Sequence, residues 1–88
     1  MKVLYEKSFL KDLKKRKDKI LKKRVENLIL EIKKARNRND LKTIEKLKGH
    51  DSAYKIRVGN YRIGLFIEDD IIIFSRLLHR KEIYKQFP

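Results

Sequence analysis

The run from Tyr54 to Gly64, YKIRVGNYRIG, alternates apolar and polar residues on both sides of Gly59-Asn60. Such period-two alternation marks a strand with one buried face, and a glycine-asparagine pair between two such runs closes a hairpin. In the first strand Tyr54, Ile56 and Val58 fall on one face, with Lys55 and Arg57 on the other. In the second, Tyr61, Ile63, Leu65 and Ile67 form the apolar row, opposed by Arg62 and Gly64. Folding back therefore gathers Lys55, Arg57 and Arg62 on one side of a sheet and leaves an apolar face that the rest of the chain must cover. A cation cluster on a rigid hairpin is suited to holding phosphate.

The cover comes from the amino-terminal half. Lys2 to Tyr5 predicts a short strand. Ser8 is placed to cap a first helix in which Phe9, Leu10 and Leu13 form an apolar stripe, and Lys14 to Lys19 hold the turn after it. From Ile20 a second helix is expected, since Ile20, Leu21, Val25, Leu28, Ile29, Ile32 and Ala35 recur at helical spacing. Its outer face carries Lys22, Lys23, Arg24, Lys33 and Lys34. Arg36 to Asp40 break the pattern. Asp40 then caps an expected helical turn through Leu41, Ile44 and Leu47, ending at Gly49. Strands are predicted at Ala53–Val58, Tyr61–Ile67 and Ile71–Leu78, with Glu68-Asp69-Asp70 as the second hairpin tip. His79 to Phe87 reads as an amphipathic tail with Ile83, Tyr84 and Phe87 apolar.

This order predicts an α+β domain spanning residues 1–88: an N-terminal strand, two helices packed on one face of a small antiparallel sheet, and a short C-terminal helical tail. Ile56, Val58, Ile63, Leu65 and Ile67 are expected to face the helices. Lys55, Arg57 and Arg62 then face outward, and function is expected on the open face.

Charged residues make up 42% of the 88 positions and leave a net charge of +13, which calls for a polyanionic partner such as nucleic acid, a ribonucleoprotein or a masking acidic protein. Ile and Leu are too numerous for a disordered chain, so the charge belongs on a folded surface. The bias toward Lys, Arg, Glu and Ile is that of heat-adapted proteins. Without cysteine, and with His50 and His79 as the only histidines, the chain supports neither a disulfide scaffold nor a zinc site. No long apolar stretch is present, and Met1 to Leu4 is too short for a secretory signal, so no membrane role and a cytoplasmic location are expected.

With these elements in place, three segments carry a resemblance: LKG at Leu47 to Gly49, YKIRVGNYRIG at Tyr54 to Gly64, and RLLHRKEIYKQFP at Arg76 to Pro88. In this order, in a basic chain of this length, they resemble the RelE/ParE superfamily of toxins from toxin–antitoxin pairs, and most nearly its archaeal RelE branch. The resemblance implies a ribosome-dependent endoribonuclease that cuts mRNA in the decoding site without metal or other cofactor. An acidic, RelB-like antitoxin would hold it inactive. Lys55, Arg57 and Arg62 match the basic residues of the family's central strands, Arg80 the arginine after the last strand, and Tyr84 the closing tyrosine. His79 lies where relatives often carry histidine. Lys48 and Arg76, with Lys55 and Arg57, are the expected RNA contacts.

Metal-free cleavage requires a 2′-hydroxyl to lose its proton, added charge on phosphorus to be stabilised, and the departing 5′-oxygen to gain a proton. Guanidinium groups suit the second task, which assigns Arg57 and Arg62 there with Arg80 in support. Lys55 serves as base only where neighbouring cations favour its neutral form; His79 is the other acid or base, and Tyr84 can stack on a base or orient the hydroxyl. Each residue also has a plainer role, as a phosphate grip, a solvated lysine, a structural histidine or a packing tyrosine. Two other functions use the same sheet. One is a ParE-type toxin that inhibits a topoisomerase and cuts nothing; the other is a noncatalytic RNA- or ribosome-binding module.

Overall fold

The computed structural model describes residues 1–41 and 43–88. Along the chain run β1 (Lys2–Tyr5), α1 (Lys7–Lys15), α2 (Lys19–Lys34), a 3₁₀ turn (Arg38–Asp40), β2 (Ile44–Lys46), β3 (Ala53–Val58), β4 (Tyr61–Glu68), β5 (Ile71–His79) and α3 (Ile83–Gln86). The strands form one sheet in the order β1-β5-β4-β3-β2, with β1 parallel to β5 and every other pair antiparallel. This is the expected α+β arrangement. Its central hairpin turns at Gly59, whose φ of 60° is the left-handed region that glycine enters without strain. The second tip turns at Asp69, at φ 54°, a conformation aspartate tolerates.

The apolar row of the hairpin is buried as expected. Ile56, Val58, Ile63, Leu65 and Ile67 join Phe9 of α1, Leu21, Val25 and Ile32 of α2, and Ile72, Phe74 and Leu77 of β5 in the main core. α2 begins where Asp18 accepts hydrogen bonds from the Ile20 and Leu21 amides, at 2.9 and 3.1 Å. Ile20, read as part of the apolar stripe, is largely exposed, and Leu10 of α1 is half exposed.

Two local expectations are corrected. Ser8 does not cap α1, because the helix starts two residues earlier than that cap implies, with Glu6 at its cap and no side-chain bond there. The Ser8 hydroxyl instead donates to the carbonyl of Ser75 at 2.6 Å. The helical turn expected through Leu41, Ile44 and Leu47 is absent where the chain is described; residue 42 lies outside the described residues. Ile44 to Lys46 is an edge strand paired with β3, with Ile44 opposite Ile56 and Glu45 opposite Lys55. β-Branched Ile44 facing a buried isoleucine gains more from the sheet than from a helix that has no core to face.

β5 carries the irregularity on which the sheet turns. Phe74 and Leu77 are both fully buried in the main core, yet residues three apart cannot share a face of a regular strand. Ser75 is the extra residue: Leu65 pairs with Phe74 and Gly64 with Arg76, so one position of β5 has no counterpart. Beyond this bulge Arg76 and Leu78 point to the face away from the helices, opposite Gly64 and Arg62.

β1 covers the β5 edge only from Ile71 to Phe74. Along the remainder, α1 supplies side chains where a strand would supply backbone. Ser8 bonds the Ser75 carbonyl, the Asp12 carboxylate accepts from the Leu77 amide at 3.0 Å, and Arg16 reaches the Leu77 carbonyl at 3.5 Å. Asp12 is buried and also receives Arg76, whose Nε lies 2.7 Å away. The hydrogen bond to Asp12 raises the Arg76 pKa above the ordinary arginine value; burial pulls the other way and loses. Arginine is charged at all working pH values, so this interaction adds stability throughout that range.

Asp12→Ala strips the partner from Arg76 and the acceptor from the Leu77 amide. It should cost about 3 kcal/mol in urea unfolding, the lower end for a broken buried pair, because the Arg76 side chain keeps 25% of its surface exposed. Asp12→Asn keeps an acceptor for the amide and should cost clearly less; an equal loss for both would show that the amide bond contributes nothing.

Candidate functional site

The open face of the sheet is divided between a tail and a cavity. α3 lies across one part, burying Ile83 and Phe87 against Leu47, Ala53, Leu78 and Phe66. Beside it, Glu45 from β2, Lys55 and Arg57 from β3, Arg62 from β4, and Arg80 and Tyr84 from the closing segment line a cavity of about 250 Å³.

Strand pairing sets most of this geometry. Glu45 stands directly across from Lys55, and Arg57 from Arg62. Glu45 Oε2 lies 3.9 Å from the Lys55 ammonium, which also donates to the Tyr84 hydroxyl and sits 4.6 Å from the centre of that ring. Lys55 thus has partners suited to an ammonium group. Like charges opposed across strands repel, which is the cost of the Arg57–Arg62 pairing. Arg62 offsets part of it by donating to the carbonyls of Gly59 and Tyr61, at 2.9 and 2.8 Å. Arg80 is fixed at its backbone, where its amide donates to the Asn60 carbonyl at 2.8 Å. That bond ties the closing segment to the tip of the central hairpin.

Lys55, Arg57, Arg62, Arg80 and Tyr84 therefore meet around one cavity. Lys48 lies outside it but lines an adjoining cavity of about 490 Å³ together with His50, Phe87 and Pro88. The two cavities share Glu45, Lys55 and Tyr84 and so form one continuous groove.

Two other candidates are elsewhere. His79 pairs with Tyr61, on the face that carries the helices, where its ring meets the Tyr61 ring edge-on at 5.5 Å and its Nδ1 accepts from the Lys81 amide. Strand alternation excludes it from the cavity. Arg76 is committed to Asp12 and reaches Gln86 at 3.4 Å, so it is a structural cation rather than a free phosphate contact.

Glu45 is the cavity residue that sequence reasoning missed. Its strand has three residues, too few to display a period of two, and Leu41, Ile44 and Leu47 mimic helical spacing. Among the described residues no group of three or more His, Cys, Asp or Glu stands where it could hold a metal ion, and no helix is long and apolar enough to cross a membrane.

Comparison with known proteins bears on what such a groove belongs to. Residues 3–84 match the family model described as ParE toxin of type II toxin–antitoxin system, parDE. The chain belongs to the ParE/RelE toxin family. Over 89 aligned residues, covering all of both chains, this toxin is 52% identical to Toxin RelE3 of Methanocaldococcus jannaschii. Its structure superposes on a chain of the RelB–RelE antitoxin–toxin complex from Methanococcus jannaschii with a TM-score of 0.80 and 48% identity, covering 97% of this chain and 99% of that one. The archaeal RelE–RelB complex from Pyrococcus horikoshii OT3 matches at a TM-score of 0.70 and 22% identity, covering 90% and 93%, which is a likeness of fold.

Arg57 is exposed and packs under nothing, so Arg57→Ala should change unfolding free energy by no more than about 0.5 kcal/mol. Arg62→Ala removes two bonds to the hairpin backbone and should cost about 1 kcal/mol while keeping the native circular dichroism spectrum. A larger loss for Arg57 than for Arg62 would contradict this account of the cavity wall.

Proposed function

We propose that this toxin is a ribosome-dependent endoribonuclease that cleaves mRNA in the decoding site without a metal ion, acting from the cytoplasm under the control of a RelB-like antitoxin. The observation that carries this reading is the convergence of Arg57, Arg62 and Arg80 on one cavity that also holds Glu45, Lys55 and Tyr84. Three guanidinium groups can grip a phosphate and stabilise the charge that grows on it during attack. Glu45 is the readiest acceptor for the 2′-hydroxyl proton, because a carboxylate can take a proton as it stands whereas Lys55 must first lose one. The 2′-oxygen then bonds to phosphorus as the bond to the 5′-oxygen breaks, leaving a 2′,3′-cyclic phosphate. Lys55 or Tyr84, bonded to each other, supplies the proton to the departing oxygen. The adjoining cavity, with Lys48 at its rim, gives the strand room to continue past Tyr84.

Nothing in the groove forces an RNA backbone into line for attack. The ribosome supplies that geometry in this reading, a contribution of about 7–11 kcal/mol when reacting groups are fully oriented. A partner that neutralises the +13 charge fits the chain's need to avoid indiscriminate nucleic-acid binding, and the relatives solved as antitoxin–toxin complexes support a RelB-like protein in that place.

Primer extension on a translated message tests the proposal. Cleavage should occur within codons of ribosome-bound mRNA, be absent from the same RNA free in solution, and fall by about a hundredfold or more in Arg57→Ala. Efficient cutting of free RNA, or cleavage undiminished in Arg57→Ala, would sink this mechanism. Loss of topoisomerase activity without any RNA cleavage would instead place the toxin with ParE.

A further inference from the structure

α3 is a single turn of four residues and cannot hold its own shape. Its position is set by what it rests on. Ile83 and Phe87 are buried at either end, and between them Tyr84 is left 64% exposed at the rim of the cavity. Beneath Phe87 lies Gly64 of β4. A β-carbon built on Gly64 would stand 2.6 to 2.8 Å from three atoms of the Phe87 ring, including Cγ at its root. Carbon atoms in contact rest at roughly 3.5–4.0 Å, so the two cannot coexist as placed.

The backbone does not explain this glycine. Gly49 and Gly59 hold positive φ angles, but Gly64 does not, and glycine inside a strand ordinarily weakens it. What the position lacks is volume, and the Phe87 ring occupies the space. The side bond from Arg76 to Gln86, at 3.4 Å, steadies α3 laterally but does not fix its height above the sheet.

We propose that Gly64 is a positioning residue: its missing side chain lets the Phe87 ring lie directly on β4, and that seat holds the Tyr84 hydroxyl against Lys55 at the cavity. The inference rests on the reading of this cavity as the cleavage site, and it makes the depth of one aromatic ring a determinant of rate. A methyl group at position 64 lifts the ring at its root, carries the short helix with it, and draws Tyr84 away from Lys55.

The test pairs a structural readout with a kinetic one. The full chain is labelled with 3-fluorotyrosine, and the Tyr84 resonance is assigned by its loss in Tyr84→Phe. In Gly64→Ala this resonance should shift, and single-turnover cleavage on ribosomes should fall between about tenfold and a hundredfold. In Gly64→Ala with Phe87→Leu, the smaller side chain makes room, and both readouts should move back toward the parent protein. An unchanged resonance and rate in Gly64→Ala overturns the proposal, as does a double variant no better than the single. If Gly64→Ala does not fold, Phe87→Leu alone withdraws the ring from the other side; an unmoved Tyr84 resonance there is equally fatal. A shifted resonance in Gly64→Ala, with a parent toxin that never cleaves RNA, counts against the nuclease reading and leaves the seat standing.

Discussion

β5 is a central strand for only part of its length. From Ile71 to Phe74 it is paired on both sides, but beyond the Ser75 bulge its outer edge faces helix α1. An unpaired edge beside a helix normally leaves backbone groups without partners, a cost of about 1–3 kcal/mol for each one buried. Ser8 and Asp12, four residues apart, lie on one side of α1, Arg16 caps its end, and each one meets a backbone group of Ser75 or Leu77. The set is a side-chain substitute for a strand. Asp12 is its centre, because the same carboxylate also holds Arg76. The influence of that contact extends across the sheet. The bulge lets Phe74 and Leu77 share the core, and it sends Arg76 and Leu78 to the other face. There Leu78 helps to bury Ile83 and Phe87, and Arg76 touches Gln86. The tail, and with it Tyr84, lies on the face away from the helices yet is placed by an irregularity that α1 contacts. A uniform β5 would offer α3 a different surface.

The legible part of the sequence was the part governed by repetition. β3 and β4 alternate over enough residues to reveal their faces, and α2 repeats its apolar positions over several turns, so strands, layers and the convergence of Lys55, Arg57 and Arg62 could be read directly. β2 was not legible, because three residues carry no period and its pairing partner lies in another segment; Glu45 was lost with it. His79 looked like a site residue because relatives often carry histidine there and imidazole suits acid–base work, but the last residue of a strand belongs to whichever face alternation assigns. Arg76 looked free because its partner lies on α1, distant in sequence.

Arg57, Arg62 and Arg80 line one cavity, and the strands that carry Arg57 and Arg62 gain nothing from having the two opposed. The sheet tolerates this repulsion because the core beneath the hairpin is complete.

The order in which these parts leave the biosynthetic machinery gives the architecture a further meaning. β1 is made first, but its partner β5 comes only after every other strand, and Arg80 and Tyr84 come later still. A chain that stops short of β5 has both helices and the central hairpin but lacks the strand that joins β1 to β4 and the closing wall of its cavity. Such a chain carries Lys55, Arg57 and Arg62 without the surroundings that make them one cavity. The cavity takes shape only once β5 and the segment behind it have been added to the hairpin.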